Sequence, residues 1–375
     1  MSNPYLFRTV RAGGSLSLAL AWMLLGISPT LASDRGGAVY VLTNQAPNSV
    51  LVYARAGDGT LRLSRSFPTG GMGMGNGADP LGSQGSLVLG RWRQLLFAVN
   101  AGSNDVSVFT VQAAGLDLKL IDRAPSGGTM PVSIAAHGRL VYVLNAGGTP
   151  NIEGFFLDPT TSRLVPLPGS ERMLPGGAAS SPAEIAFSPD GDVLMVTEKG
   201  TNKIDIWQLN DDGFAENGTT TDSSGATPFG FAFTQRDVAV VSEAGPSALS
   251  SYDIDDNGTV DLLTGTLSDG QKTNCWVVVT RNARYAFTTN TASGTISSYQ
   301  LTREGFLTLL NEVAANTGSG TAPIDMALSA NSRFLYVREA VKGRIDGFRV
   351  ESDGSLTAVT SAGGVPAGAQ GVAAR

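Results

Sequence analysis

The sequence predicts an all-β fold: a seven-bladed β-propeller with four antiparallel strands per blade. Two observations carry this. Short apolar segments recur at an average interval of about 49 residues, and helical periodicity is nearly absent. A third, a C-terminal tail that matches an internal segment, predicts how the ring closes. The recurring segments are VYVLTN, LFAVN, VYVLN, LMVTE, AVVSE, AFTTN and LYVRE, ending at Asn44, Asn100, Asn145, Glu198, Glu243, Asn290 and Glu339. Their spacings run from 45 to 56 residues, and a period of that size built from short β-type runs is a propeller signature.

Each unit reads strand by strand. The apolar segment is the second strand. A polar turn and an alternating run follow, such as NDVSVFTV (104–111) or RIDGFRV (344–350). Next come Gly57-Asp58-Gly59, Asp212-Gly213, Asn257-Gly258, Glu304-Gly305 and Asp353-Gly354. These are hairpin turns, because Gly and Asn tolerate the positive φ that tight turns require. A fourth run and a Gly-rich loop lead to the inner strand of the next unit: VSIAA, AEIAF, FGFAF, CWVVV and IDMAL. Continuous apolar runs with small residues suit strands packed on both faces near a crowded axis. The first unit starts at its second strand. The tail Gly368-Ala369-Gln370-Gly371-Val372-Ala373-Ala374 matches Gly82-Ser83-Gln84-Gly85-Ser86-Leu87-Val88, read as the inner strand of blade two. The C-terminal strand should therefore complete blade one, leaving no exposed edge.

Residues 1–32 stand apart. Arg8 and Arg11 precede an uncharged apolar run, Ser15 to Ile27, then Pro29 and the small-residue site Thr30-Leu31-Ala32. That order is a secretory signal peptide, with a run too short to span a bilayer comfortably. The expectation is a single propeller domain over 33–375, soluble after cleavage, secreted or periplasmic, and monomeric. With net charge −6, a nucleic-acid-binding surface is not expected. One Cys (Cys275) excludes an internal disulfide and any multi-cysteine metal site, and one His (His137) excludes mechanisms that need two.

The units YV.N, N.I, dG.L and sPdG, here Tyr142-Val143-Leu144-Asn145, Asn202-Lys203-Ile204, Asp353-Gly354-Ser355-Leu356 and Ser188-Pro189-Asp190-Gly191, resemble those of the lactonase-type seven-bladed propellers. That family includes bacterial 6-phosphogluconolactonase and the carboxymuconate-cyclising enzymes. The resemblance spans roughly 38–375 and implies lactone chemistry in or above the central channel. Family enzymes use His, Arg and acidic residues on one face. Here His137 falls in the turn Ala136-His137-Gly138-Arg139, on the opposite face, which excludes a histidine base. Sparse basic residues near the mouth and an export signal argue against a phosphorylated substrate.

The ends of the second strands and the starts of the inner strands fall on one face. They bring together Glu184, Glu198, Glu243, Asp325 and Glu339, with Gln84, Gln370, Asn100 and Asn290, and with Arg338 and Lys199 close in sequence. Crowded carboxylates raise one another's pKa and can supply a general base for water. Glu198 or Glu339 is the expected base, with Arg338 stabilising the oxyanion. No cofactor is required, although the same oxygen-rich ring could hold Ca²⁺ or Mg²⁺. The same Asn and Glu positions also suit turn capping through side-chain acceptors. Three motifs carry less weight. Asp253 to Gly258 resembles the start of a calcium loop but aligns with a hairpin. Gly71 to Gly77 resembles a phosphate cradle but precedes no helix, and reads as a long flexible loop. Asn217-Gly218-Thr219 and Asn257-Gly258-Thr259 fit the glycosylation sequon.

Two functions follow. One is an exported lactonase-like hydrolase opening a small unphosphorylated, sugar-type lactone. The other is a non-catalytic propeller that binds a ligand, glycan or protein, with loops 70–82 and 169–181 making contacts.

Overall fold

Six of the seven second strands, among them Gly37–Leu42, Val193–Glu198 and Phe334–Glu339, are buried along their whole length. The outer strands, such as Leu61–Pro68 and Val260–Ser268, are largely exposed. This gradient follows the residues: Val, Leu and aromatics in the second strands, alternating polar residues at the rim. The computed structural model describes residues 35–375 apart from 76 and 91–93; the leader expected over 1–32 lies outside the described residues. Among the described residues no helix is long and apolar enough to cross a membrane.

The strands form seven antiparallel sheets. Six have four strands, five of them in chain order and the first blade headed by the C-terminal strand. In the third blade the outer strand is broken into Leu164–Pro166 and Arg172–Met173, both paired with Asn151–Leu157. The inner strands are Val372–Ala374, Leu87–Gly90, Thr129–His137, Pro182–Phe187, Pro228–Phe233, Asn274–Val279 and Pro323–Leu328 for blades 1 to 7. Each touches the next, and the last touches the first, so they line a common axis.

Closure occurs as predicted. Val39 pairs with Ala374 and Val41 with Val372, so one sheet holds both ends of the propeller. The Arg375 N–H donates to Ala38 at 2.9 Å and the Leu42 N–H to Gly371 at 3.0 Å. The matched Gly-x-Gln-Gly segments are strands only in their second halves, however. Positive φ at Gly82, Gly85, Gly368 and Gly371 breaks the extended run and turns the first half across the axis.

The five predicted turn glycines, Gly59, Gly213, Gly258, Gly305 and Gly354, all have φ between 78° and 91°. These turns also join blades. Tyr142 and Tyr336, early in their second strands, donate phenolic O–H groups to Gly213 and Gly59 of the following blade at 2.8 and 2.9 Å. Tyr40 does the same to Gly115 at 2.8 Å. The Tyr of the YV.N unit is thus an interblade fastener. Asn257 Oδ1 accepts the Thr259 N–H at 2.9 Å, as a hairpin residue does; the side chain of Asn217 lies outside the described residues.

Deleting residues 366–375 removes an inner strand and reopens the ring. The expected outcome is a Tm lower by roughly 5 °C or more in a thermal melt. Tyr336→Phe, which deletes one buried bond, should cost about 1 kcal/mol by denaturant titration. An unchanged Tm for the truncated chain would contradict the closure.

Candidate functional site

The inner strands of blades 3 to 7 carry register shifts where they start, between Pro131 and Ser133, Pro182 and Glu184, Pro228 and Phe231, Asn274 and Val277, and Ile324 and Met326. Bulges unpair backbone groups and re-aim side chains. Here the freed N–H groups are taken up around the ring. Ser133 accepts from Ile185 at 3.2 Å, Glu184 from Phe231 at 2.6 Å, and Asp325 from Gly371 at 2.8 Å. Blade 6 is served from elsewhere: its Val277 N–H donates to Gln84 Oε1 at 3.0 Å.

Gln84 belongs to a segment, Ala78 to Gly85, that lies across the axis on the face where the inner strands begin. The Gln84 amide donates to Glu184 Oε1 at 3.2 Å and to the Phe231 and Val277 carbonyls at 3.2 and 3.0 Å. Ser83 Oγ donates to Val132 at 2.9 Å, and the Ser83 carbonyl accepts from Trp276 Nε1 at 3.0 Å and Gln370 Nε2 at 2.8 Å. Arg338 donates to the carbonyls of Ala78 and Pro366, each at 3.3 Å. Bonded to inner strands all round the ring, this segment plugs the axis at the mouth.

Over the plug sit two groups with an open side. Asp79 is half-buried and accepts the Gly82 N–H at 3.0 Å. Burial raises its pKa; the nearby charge of Lys199, then the Gly82 N–H, Gln370 and Arg338 oppose that rise. Lys199, also half-buried, donates to the Gly82 carbonyl, and its ammonium lies 4.9 Å from the Phe229 ring centre. Burial lowers its pKa, and Asp79 opposes the fall. Beneath them, burial draws Arg338 down to about 10 and pushes Asp325 up to about 7. Glu184, fully enclosed, is raised well above the ordinary carboxylate range, first by burial.

The structure therefore gathers Glu184, Asp325, Gln84, Gln370 and Arg338 at one mouth. It does not bring Glu198, Glu243, Glu339, Asn100 and Asn290 there. These end equivalent second strands on the same face, but each is fully buried inside its blade. Glu198 accepts from the Gly176 N–H at 3.0 Å and from Thr201 Oγ1. Glu243 accepts from the Gly225 N–H at 2.7 Å and Ser250 at 2.7 Å. Asn100 bonds Asp105 and Ser107, and Asn290 bonds Thr295 and Ser297. These four side chains fasten the incoming loop or the following turn, as capping residues do, whereas the Glu339 carboxyl is enclosed without such a bond.

Asp79 was not singled out from the sequence. The signal available was the loop that carries it, one of the two longest, running into the Gly-x-Gln-Gly segment shared with the tail. Where it is described, the loop expected to be flexible over Gly71 to Gly77 is bonded to blade 1. The Gly73 and Gly75 N–H groups donate to Gln45 and Asn44 at 2.7 and 2.8 Å. His137 ends the inner strand of blade 3 on the far face, half-buried, with its ring 5.8 Å from that of Phe187. Among the described residues, one carboxylate trio has the mutual spacing to hold a metal ion: Asp190, Asp192 and Asp256, all exposed. Its hairpins place it on that far face, away from the mouth.

Two blades hold buried acid pairs. Asp205, seven residues after Glu198, is pushed up by burial and then by the Glu198 charge. Glu339, seven residues before Asp346, is pushed up to about 7 by burial, with Asp346 adding to the rise and the Thr321 and Thr317 hydroxyls offsetting part of it. The folded protein thus keeps protons that the unfolded chain releases near pH ~4. The stability this confers is complete below about pH 4 and is lost as pH rises through the folded values, about 7 for Glu339 and Asp325. Tm should therefore fall by several degrees between about pH 5 and pH 9, and Asp205→Asn should flatten part of that fall. A Tm that rises over this window would contradict the protonated pairs.

A sequence model of the lactonase seven-bladed β-propeller family matches residues 31–179 and 235–326. No curated protein matches. Solved structures share the fold. A periplasmic gluconolactonase from Pseudomonas aeruginosa is 15% identical, with TM-score 0.68, covering 89% of this chain and 98% of its own. A Bacteroides fragilis NCTC 9343 protein, provisionally designated a 6-phosphogluconolactonase, is 16% identical, with TM-score 0.69, covering 91% of this chain and 98% of its own. A Bacteroides uniformis ATCC 8492 protein of the same provisional designation is 16% identical, with TM-score 0.68 and coverage of 89% and 98%.

Proposed function

The chain belongs to the seven-bladed β-propeller lactonase family, and from that premise we propose that it hydrolyses a small lactone at the plugged mouth, with Asp79 as general base. The observation that carries this reading is the arrangement of Asp79: a half-buried acid beside Lys199, with the fully buried Arg338, Asp325 and Gln370 nearby. Glu198 and Glu339, the first candidates for the base, are fully buried inside blades 4 and 7. Arg338, expected from the sequence to stabilise the oxyanion, is fully buried, and in this reading Lys199 takes that role.

In this mechanism Asp79 takes a proton from water as the oxygen attacks the lactone carbonyl. Lys199 donates to the oxyanion that forms, in a site where its own burial strengthens the interaction. Collapse of the tetrahedral species breaks the ring C–O bond, and the proton held by Asp79 passes to the leaving ring oxygen. The product is a hydroxycarboxylate. Arg338 contributes positive potential from below and fixes the floor through Ala78 and Pro366. With Lys199 the one half-open cation named here, a neutral lactone suits the mouth better than a phosphorylated one. We read residues 1–32 as an export signal, and an exported enzyme would meet unphosphorylated sugar lactones. The neighbouring gluconolactonase makes gluconolactone the first substrate to test.

A second reading, ligand or glycan binding without turnover, is favoured by the burial of Glu184, Asp325 and Arg338, which leaves Asp79 as the one half-buried acid at the plug. One assay separates the two. Gluconolactone hydrolysis above the uncatalysed rate should fall by roughly 100-fold or more in Asp79→Asn and change little in Glu198→Gln. The wild-type kcat/KM should climb with pH through a midpoint above about 4, because burial raises the Asp79 pKa. Undiminished turnover by Asp79→Asn would remove the base. Saturable stabilisation by the lactone with no turnover in the wild type would leave the binding reading.

A further inference from the structure

The face opposite the mouth carries a recess of a different charge. It forms where the first hairpin of blade 6, Thr280 to Tyr285, meets that of blade 7, Ser329 to Phe334, beside the outer turn at Val350 to Ser352. Its volume is about 600 Å³, the size of a small-molecule site. Three guanidinium-bearing residues line it: Arg281, Arg284 and Arg333. The one acid there, Glu351, is already engaged by Arg349 at 2.7 Å and by the Thr357 hydroxyl at 2.7 Å. Among the described residues none of the three arginines has an ion-pair partner. In a chain of net charge −6, this is a local inversion of sign.

The residue just before the second strand is Asp192 in blade 4 and Asp237 in blade 5, but Arg284 in blade 6 and Arg333 in blade 7. Blade 3 has a single arginine at the equivalent position, Arg139, bonded to the Leu157 carbonyl at 3.0 Å, and only blades 6 and 7 place two side by side. The two basic hairpins share one geometry. Asn282 Oδ1 accepts the Arg284 N–H and Asn331 Oδ1 the Arg333 N–H, each at 3.1 Å. They are also joined: the Arg281 N–H donates to Ser332 Oγ at 2.9 Å. The Arg284 guanidinium lies 5.3 Å from the Tyr285 ring centre and donates to its hydroxyl at 3.2 Å. That hydroxyl donates in turn to the Ser352 carbonyl at 2.8 Å. Arg333 lies 5.9 Å from the Phe334 ring centre. Aromatic contacts limit the freedom of two of the guanidinium groups before any ligand arrives, which lowers the entropic cost of binding.

We propose that this recess binds a small anion carrying at least two carboxylate or phosphate groups. Planar guanidinium forks match the oxygens of either group in pairs, and several forks converging on one cavity select for more than one anionic group. The site is separate from the mouth, so the proposal stands whether or not the protein hydrolyses lactones.

The test titrates the full chain with citrate and with pyrophosphate, at ionic strength held constant with NaCl, and follows Tm and calorimetric heat. The expected result is saturable stabilisation by at least one of them, weakened roughly 10-fold or more in Arg284→Gln/Arg333→Gln and unchanged in Arg62→Gln/Arg163→Gln, which alters exposed arginines elsewhere. Preference for citrate assigns the ligand as a carboxylate, and preference for pyrophosphate as a phosphate. Arg281→Gln, whose side chain makes no bond among the described residues, supplies the same readout if the double variant folds poorly. No saturable shift in the wild type, or equal affinity in the basic-recess variants and the control, overturns the proposal.

Discussion

The structure depends on one short segment of irregular backbone lying across the axis of a regular ring. Ala78 to Gly85 precedes the inner strand of blade 2 and bonds every other blade. It reaches blade 1 through Gln370, blade 3 through Val132 and Ile134, and blade 4 through Ala183 and Glu184. It reaches blade 5 through Phe231, blade 6 through Trp276 and Val277, and blade 7 through Arg338. Buried polar backbone must find partners. The bulged starts of the inner strands supply them, so the plug and the bulges satisfy one another. Either alone would leave unpaired groups in a low-dielectric core.

A repeat places the same residue in the same surroundings again and again. That suits fastening and works against catalysis, which needs one asymmetric place. The Asn and Glu residues ending the second strands, Glu339 apart, illustrate fastening: buried, on one face, tied to their own loops. Asymmetry enters where the repeat is broken, at the plug and at the Gly-x-Gln-Gly tail. Those breaks put one half-buried acid beside Lys199. The far face follows the same logic, where Asp at one hairpin position in blades 4 and 5 becomes Arg in blades 6 and 7.

Much of the fold was legible in the sequence because strand burial and turn chemistry are local. VYVLN could only be a buried strand, and Asp353-Gly354 could only be a turn of positive φ. Closure was legible because two segments matched. The matched segments misled in one respect: their glycines permit an extended strand and equally a bend across the axis, and only the facing bulges decide between them. The candidate site was legible in part. The inner-strand column gave Glu184 and Asp325, and the tail match gave Gln84 and Gln370. Asp79 was hidden, because its position depends on where a long loop crosses the ring. The second-strand column pointed to the right face, but strand twist and the bulges turn those side chains into the blades and not toward the axis.

Hydrogen exchange by mass spectrometry or NMR across residues 78–87 and the inner strands they bond tests the plug most directly. The account predicts that the amides of Gln84, Ile134 and Val277, all bonded across the axis, exchange as slowly as those of the second strands. Exchange of Gln84 and Val277 at the rate of exposed loops, with the second strands still protected, would mean an open channel and would contradict the account of the mouth.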